Sequence, residues 1–211
     1  MPRITALEPQ EHDPERRSVF VDGQFALGVS LDTLVALGLR VGLEVTPQAL
    51  EHAAHEEDVH KAKEAAYRLL SYRARSEDEL RRRLLRLKLA EDVVEEALRR
   101  LAASGLVNDQ SFAEQWVRSR QQGHPSGRAL IRWELRRKGV SDETTEEALE
   151  PLDEESELAS ARELVAQRLR RTSERDPAVL RQRLSGTLQR RGFSWEIIRQ
   201  ALEDLGEDEE E

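Results

Sequence analysis

The feature that most constrains this chain is an apolar pattern that returns about every fifty residues. Leu80, Leu84, Val93, Val94, Ala97, Leu98 and Leu101 recur 51 positions later as Ile131, Leu135, Thr144, Thr145, Ala148, Leu149 and Leu152. A further 53 positions on they return as Leu184, Leu188, Ile197, Ile198, Ala201, Leu202 and Leu205. Single apolar matches are uninformative, but a whole set in register twice over marks a tandem array of one supersecondary unit. Within each copy a first helix is followed by a polar turn, a basic second helix, a short link and a third helix ending in Ala-Leu-x-x-Leu. In the second copy these helices are expected at 112–122, 127–138 and 142–149. The spacing i, i+4 of Ile131 and Leu135, or of Leu184 and Leu188, sets both side chains on one face. Three such stripes close into a small bundle.

Capping chemistry marks the same boundaries independently of the repeat. Ser76-Glu77-Asp78-Glu79 has the form of a capping box, and Asp176-Pro177 places an N-cap before a proline at the first helical position. Gly139 and Gly192 sit where second helices must stop in a left-handed residue, and Ser141 and Ser194 cap the third helices. The first copy departs from this rule, with Lys88 and Ala90 at the equivalent places, which predicts a less well-defined link there.

Ahead of the array, two short apolar runs flank Asp22-Gly23, the signature of a hairpin with a type I′ turn. A short helix from Ser30, ended by Gly38, should follow. An isolated hairpin is marginal in water, so this piece is expected to pair with a strand near Glu44-Val45 or to pack on a helix. The fold class expected is therefore mainly α: three tandem three-helix units in an elongated array, with a small N-terminal β-hairpin extension. The divisions are residues 1–45 for the hairpin and short helix, 46–61 for a linker helix, 62–107, 108–156 and 157–206 for the three units, and 207–211 for an acidic tail.

Composition limits what such a chain can do. Charged residues are 36% and aromatic residues 4%, which suits aliphatic stripes on helices more than a bulky core. The 211 residues include no cysteine, which excludes disulfides and thiolate chemistry. No apolar run approaches the roughly 20 residues of a membrane span, and no leader pattern opens the chain, so a soluble, cytoplasmic protein without membrane attachment is expected. A monomer is expected as well. Neither a G-x-x-x-x-G-K-[ST] loop, nor G-x-G-x-x-G after a strand, nor a G-x-S-x-G elbow occurs. Catalytic residues, cofactors and metals are accordingly expected to be absent. His52, Glu56 and His60 line one helical face, but their spacing is not that of zinc proteases, and a charged connector helix explains them better.

Charge is distributed in blocks. The net charge is −9, yet residues 118–140 carry seven Arg or Lys against Glu134 alone, while 142–157 carry nine acids and no base. Blocks like these can create local potentials that the whole-chain charge hides, although most charge runs are solvated faces. Arginine recurs on the equivalent second helices of the array. Its density suits phosphates or the carboxylates of a protein partner, and few aromatic residues accompany it for stacking on bases. A binding stripe and a solvated face stand level at this point. The segment Gly105-Leu106-Val107-Asn108-Asp109, with Phe112-Ala113, reads first as architecture: Gly105 ends a helix, Leu106 and Val107 bury at the junction, Asp109 caps the next helix and Phe112 enters the core.

The same residues carry a resemblance. Leu69-Leu70-Ser71-Tyr72-Arg73-Ala74-Arg75-Ser76 with Glu79-Leu80, then Gly105-Leu106-Val107-Asn108-Asp109 with Phe112-Ala113, then Ile131, Glu134-Leu135 and Lys138-Gly139-Val140 resemble the RecX family, regulators of the RecA recombinase. The resemblance implies a non-enzymatic regulator, mainly an inhibitor, that binds the RecA–DNA filament and modulates its ATPase, strand exchange and co-protease activities in DNA repair and the SOS response. Its partners would be the RecA filament and, as a second class, single- or double-stranded DNA. The residues expected to face filament or DNA are Arg73, Arg75, Arg82, Arg132, Arg136 and Arg137. A direct DNA-binding helical module is the alternative, since a basic second helix in a three-helix unit also suits DNA.

Overall fold

The computed structural model describes residues 1–11, 13–174 and 176–203. Leu205 of the third repeat set and the acidic end at 207–211 lie outside the described residues. The chain forms two compact units, Met1–Ala74 with Leu80–Val107, and Arg75–Glu79 with the residues from Asn108 on.

In the N-terminal unit, strands β1 (Ile4–Gln10), β2 (Asp13–Val21) and β3 (Gln24–Ser30) form an antiparallel sheet in the order β1-β2-β3. The expected hairpin is β2-β3. Asp22 (φ 49°) and Gly23 (φ 84°) make its turn, and Phe20 lies opposite Phe25. What the sequence reading lacked was β1. It occupies the free edge of β2, while Glu44 makes only an isolated bridge to Arg3. Helix α1 (Leu31–Ala36) starts at Ser30, whose hydroxyl accepts from the Thr33 amide, and Gly38 follows it with φ 61°.

Helix α2 (Pro47–Leu70) is one continuous element, capped by Thr46. Its first half packs under the sheet, where Ile4, Val19, Val29, Leu39, Val45 and Ala53 form one core. A buried charge ties the two layers: the Glu57 carboxylate accepts from the Ser30 amide at 2.8 Å and from the Arg16 guanidinium. Burial alone would raise the Glu57 pKa, but these donors hold it below its ordinary value. The second half of α2 packs on α3 (Glu77–Leu85) and α4 (Glu91–Ala103) through Ala66, Leu80, Leu84, Val94, Leu98 and Leu101.

The link between α3 and α4 corrects the expectation of a loose connection. Lys88 adopts the left-handed conformation (φ 62°) that Gly139 and Gly192 adopt in the other repeats, and Ala90 takes the N-cap position with no side-chain cap bond. Packing of α3 and α4 on a shared core dictates the turn, and local sequence does not veto it.

The C-terminal unit holds α5 (Asp109–Gln122), α6 (Arg128–Arg137) and α7 (Asp142–Leu149), then α8 (Glu154–Leu169), α9 (Pro177–Arg190) and α10 (Trp195–Ala201). Each trio has its own core, one centred on Phe112, Ile131, Leu135 and Leu149, the other on Leu164, Leu184, Leu188, Ile197 and Ile198. The predicted caps Ser141, Asp176 and Ser194 all accept from amides of the following turn. Two details of the 105–113 motif differ. Leu106 stays 51% exposed, because the left-handed Gly105 turns the chain so that only Val107 points inward. Asn108, not Asp109, caps α5, while the Asp109 carboxylate accepts from the Glu77 amide at the start of α3.

Within this unit, two hydrogen bonds to backbone carbonyls recur at equivalent positions of the repeat. The Ser76 hydroxyl donates to the Lys138 carbonyl, and the Gly127 amide donates to the Arg191 carbonyl at 2.9 Å. In each case the start of one second helix meets the end of the next. Gly127 and Gly192 approach so closely that a Cβ on Gly127 would lie 2.3 Å from the Gly192 oxygen. Beside them the buried Glu157 carboxylate accepts from the Arg128 amide at 2.9 Å, the same service that Asp109 performs for Glu77.

Candidate partner-binding surface

The second helices carry arginines at recurring positions, and their residue pattern explains where these side chains lie. On α6 the apolar positions Ile131 and Leu135 turn inward, so Arg132 and Arg136, each one residue beyond them, lie toward the outer side. Arg132 and Arg136, one turn apart, share a face; Arg137 lies around the helix beside Trp133.

That face is not a bare cationic stripe. The Arg132 guanidinium holds the Glu146 carboxylate with two bonds, its Nη2 donating to Oε2 at 2.9 Å, and Arg136 donates to Asp142 Oδ1 at 2.9 and 3.2 Å. Arg128 also reaches Glu146, at 3.8 Å, and Arg120 grips Glu134 at 2.7 Å. The basic and acidic blocks of the sequence therefore neutralise one another across α6 and α7. Bonding to Arg132 holds the Glu146 carboxyl below its ordinary pKa and raises that of Arg132.

The first repeat makes the same pair at the same positions, Arg81 to Glu95, with Nη2 to Oε2 at 3.0 Å. These two pairs are half-exposed, Arg81 and Glu95 keeping 31% and 48% of their side-chain surface in solvent and Arg132 and Glu146 36% and 49%, while Arg136 and Asp142 keep 65% and 72%. Pairs of this exposure contribute about 0–1 kcal/mol each. A partner carboxylate or phosphate can therefore displace the internal one at small cost.

The remaining expected residues are more scattered. Arg73 is exposed and donates to the Ala74 carbonyl at 2.7 Å, and Arg82 is exposed on α3; both belong to the N-terminal unit. Arg75 is half-buried in the C-terminal unit. Arg137 stacks its guanidinium on Trp133, 4.6 Å from the ring centre, and Trp133 is itself 52% exposed. This aromatic has no counterpart among the expected contact residues. Its signal was a break in the repeat, since the equivalent positions are Arg82 and Gly186. Trp116 is spoken for differently: its indole donates to Glu134, and Lys138 Nζ sits 4.2 Å over its ring.

No helix among the described residues is long and apolar enough to cross a membrane. The histidine-rich stretch of α2 faces α4. Glu56 accepts two bonds from Arg100 at 2.7 Å, and His55 lies 3.6 Å from Asp92.

Comparison with known proteins covers nearly the whole chain. Residues 2–46 match the model of the regulatory protein RecX N-terminal domain, and residues 62–101, 108–149 and 154–202 match the first, second and third three-helix domains of RecX. A regulatory protein RecX of Bacillus pumilus is 32% identical over 211 residues, covering 100% of this chain and 80% of its own length. Another, of Amycolatopsis mediterranei, is 41% identical over 155 residues, 72% of this chain and 89% of its own. A crystal structure of regulatory protein RecX superposes with a TM-score of 0.74 at 26% identity, covering 93% of this chain and 97% of that one. RecX from Lactobacillus salivarius gives 0.64 at 27% identity, over 71% and 97%. With three-helix repeats, an N-terminal sheet and relatives that carry the same arrangement end to end, this chain belongs to the RecX family of regulatory proteins.

Proposed function

We propose that the chain regulates the RecA recombinase, mainly as an inhibitor, by binding the RecA–DNA filament as a monomer and damping its ATP hydrolysis, strand exchange and co-protease activity. In the cytoplasm it would thereby limit recombinational repair and the SOS response. No catalytic chemistry is needed for this role. The observation that carries the reading is the repeated, half-exposed Arg–carboxylate pair on equivalent helices, Arg81 with Glu95 and Arg132 with Glu146. Identical weak pairs on successive repeats offer arginines that can change partners, and modest contacts to successive filament subunits add through effective concentration. The family name of the relatives supports a regulatory role of this kind.

Arg73, Arg75, Arg82, Arg132, Arg136 and Arg137 are the residues proposed to make these contacts. The test is titration into a RecA ATPase assay stimulated by single-stranded DNA, with Arg132→Glu/Arg136→Glu alongside. Wild type should inhibit, and the double reversal should raise the inhibitory concentration by about tenfold or more while leaving helicity unchanged. No inhibition by wild type would sink the functional reading. Full inhibition by the folded double variant would sink the assignment of the surface.

The second reading, direct DNA binding, draws on the exposed Trp133 stacked with Arg137, an arrangement on which a base can stack. Tight binding to bare DNA with a steep dependence of log affinity on log salt would favour it. Weak DNA binding with strong filament inhibition would favour RecA.

A further inference from the structure

The third repeat departs from the other two at the positions of the exposed ion pair. Where they carry Arg81 and Arg132, it has Ser185; where they carry Glu95 and Glu146, it has Arg199; where they carry Glu91 and Asp142, it has Trp195. The pair that closes the outer face between the second and third helices is thus gone. In its place the structure has a groove of about 380 Å³ between α9 and α10, floored by Ile198 and Leu202 and flanked by Trp195, which is 73% exposed. Arg181 and Arg199 stand at its rim. Among the described residues no carboxylate pairs with Arg181, and Arg199 reaches only Glu196, at 4.0 Å, one turn back on its own helix.

We propose that this groove is a docking site for an acidic helical segment of a partner protein, a segment with apolar side chains one turn apart and a carboxylate beside them. Charge complementarity carries the choice of occupant. In the other repeats an arginine at this face meets a carboxylate of the same repeat; here no carboxylate among the described residues takes that place and two arginines remain, a charge that an acidic partner would complement. The apolar floor between two helices matches the stripe of an amphipathic helix, and an exposed tryptophan beside arginines is the residue combination that dominates binding energy at protein interfaces. A nucleic-acid strand fits less well, because the cations form no row and Glu196 lies among them. The site is separate from the α6 surface and does not rest on the function proposed above.

Full-length protein labelled with fluorotryptophan tests this, the Trp195 resonance being identified by its loss in Trp195→Phe. The probes are a synthetic helix-forming peptide with two leucines four residues apart and flanking glutamates, the same peptide with lysines for the glutamates, and a thymidine oligonucleotide. The acidic peptide should shift the Trp195 resonance saturably, and the lysine peptide should bind about tenfold or more weakly. Arg199→Glu should reverse that preference, an outcome a merely structural role for Arg199 does not produce. The proposal is overturned if the acidic peptide leaves Trp195 unmoved or if Arg199→Glu keeps the original preference. It is equally overturned if the oligonucleotide binds more tightly than the acidic peptide, or if a peptide with the sequence of residues 203–211 does, which would give the groove to this chain's own end. No recombinase is present in the assay, so its outcome is independent of the ATPase test.

Discussion

Thr145 lies in the core of the second repeat, 1% exposed, at the position that Val94 and Ile198 fill in the others. Its hydroxyl oxygen is buried without a hydrogen-bond partner among the described residues. Such a group forfeits its hydration for nothing, a cost of about 1–3 kcal/mol. Thr145→Val keeps the branched shape and removes the hydroxyl, so it should raise the unfolding free energy by about 1 kcal/mol in urea titration. Unchanged or lowered stability would count against an orphaned hydroxyl. The repeat register aligns this residue with its apolar counterparts, and it marks Lys88 and Ala90 as departures. What the register lacked was the outcome at each site: a left-handed Lys88 retained by packing, and a Thr145 retained without a partner. Residue scale is also where the 105–113 motif divided. Capping by a side chain two or three residues upstream is local chemistry, and an Asn-Asp pair offers two candidates for it. The choice of Asn108 follows from Asp109 being drawn to the Glu77 amide, 32 positions away in sequence.

At the scale of elements, the junction between second and third repeats depends on bare backbone. Gly192 has φ +80°, and a Cβ there would fall 2.3 Å from the Leu130 nitrogen. Gly192→Ala therefore combines left-handed strain with a backbone clash and should lose at least about 2 kcal/mol. Gly186 is the control. It sits inside α9 with only the flexible end of Arg190 near, at 3.4 Å, so Gly186→Ala should gain about 1 kcal/mol from helix propensity. Opposite signs in urea unfolding support the close approach; equal effects contradict it. The sequence placed Gly192 correctly as a helix stop, since that rule needs only the glycine and the helix before it. That the same residue makes room for α6 needed the packed structure.

For the whole molecule, pH reads the balance of its carboxylates. Bonding to arginines lowers the pKa of Glu56, Glu95 and Glu146, and Arg99 and Arg100 together bring Glu96 to about 2. A depressed folded-state pKa contributes stability that is present above the unfolded value, near 4.5, and is lost as pH falls through the folded one. Stability should therefore decline on acidification below 4.5, modestly, because these groups are partly exposed. Glu157 has the opposite sign: burial raises its pKa, so its favourable contribution is present below 4.5 and lost as pH rises through the folded value. Glu157→Gln keeps an acceptor for the Arg128 amide and removes the ionisation. Its stability relative to wild type should rise with pH above 4.5, as urea unfolding across pH 3 to 8 would reveal, whereas a flat difference would contradict the burial argument. The sequence by itself determined the repeat, the caps Ser141, Asp176 and Ser194, the hairpin turn and the family, because helical period and capping act within a turn or two of chain. Only the tertiary structure decided that the arginine and acid blocks cancel across α6 and α7, that β1 completes the sheet, and that the third repeat leaves its outer groove open. Those outcomes depend on which distant residues become neighbours, and a one-dimensional pattern of charge or apolarity does not specify the pairing.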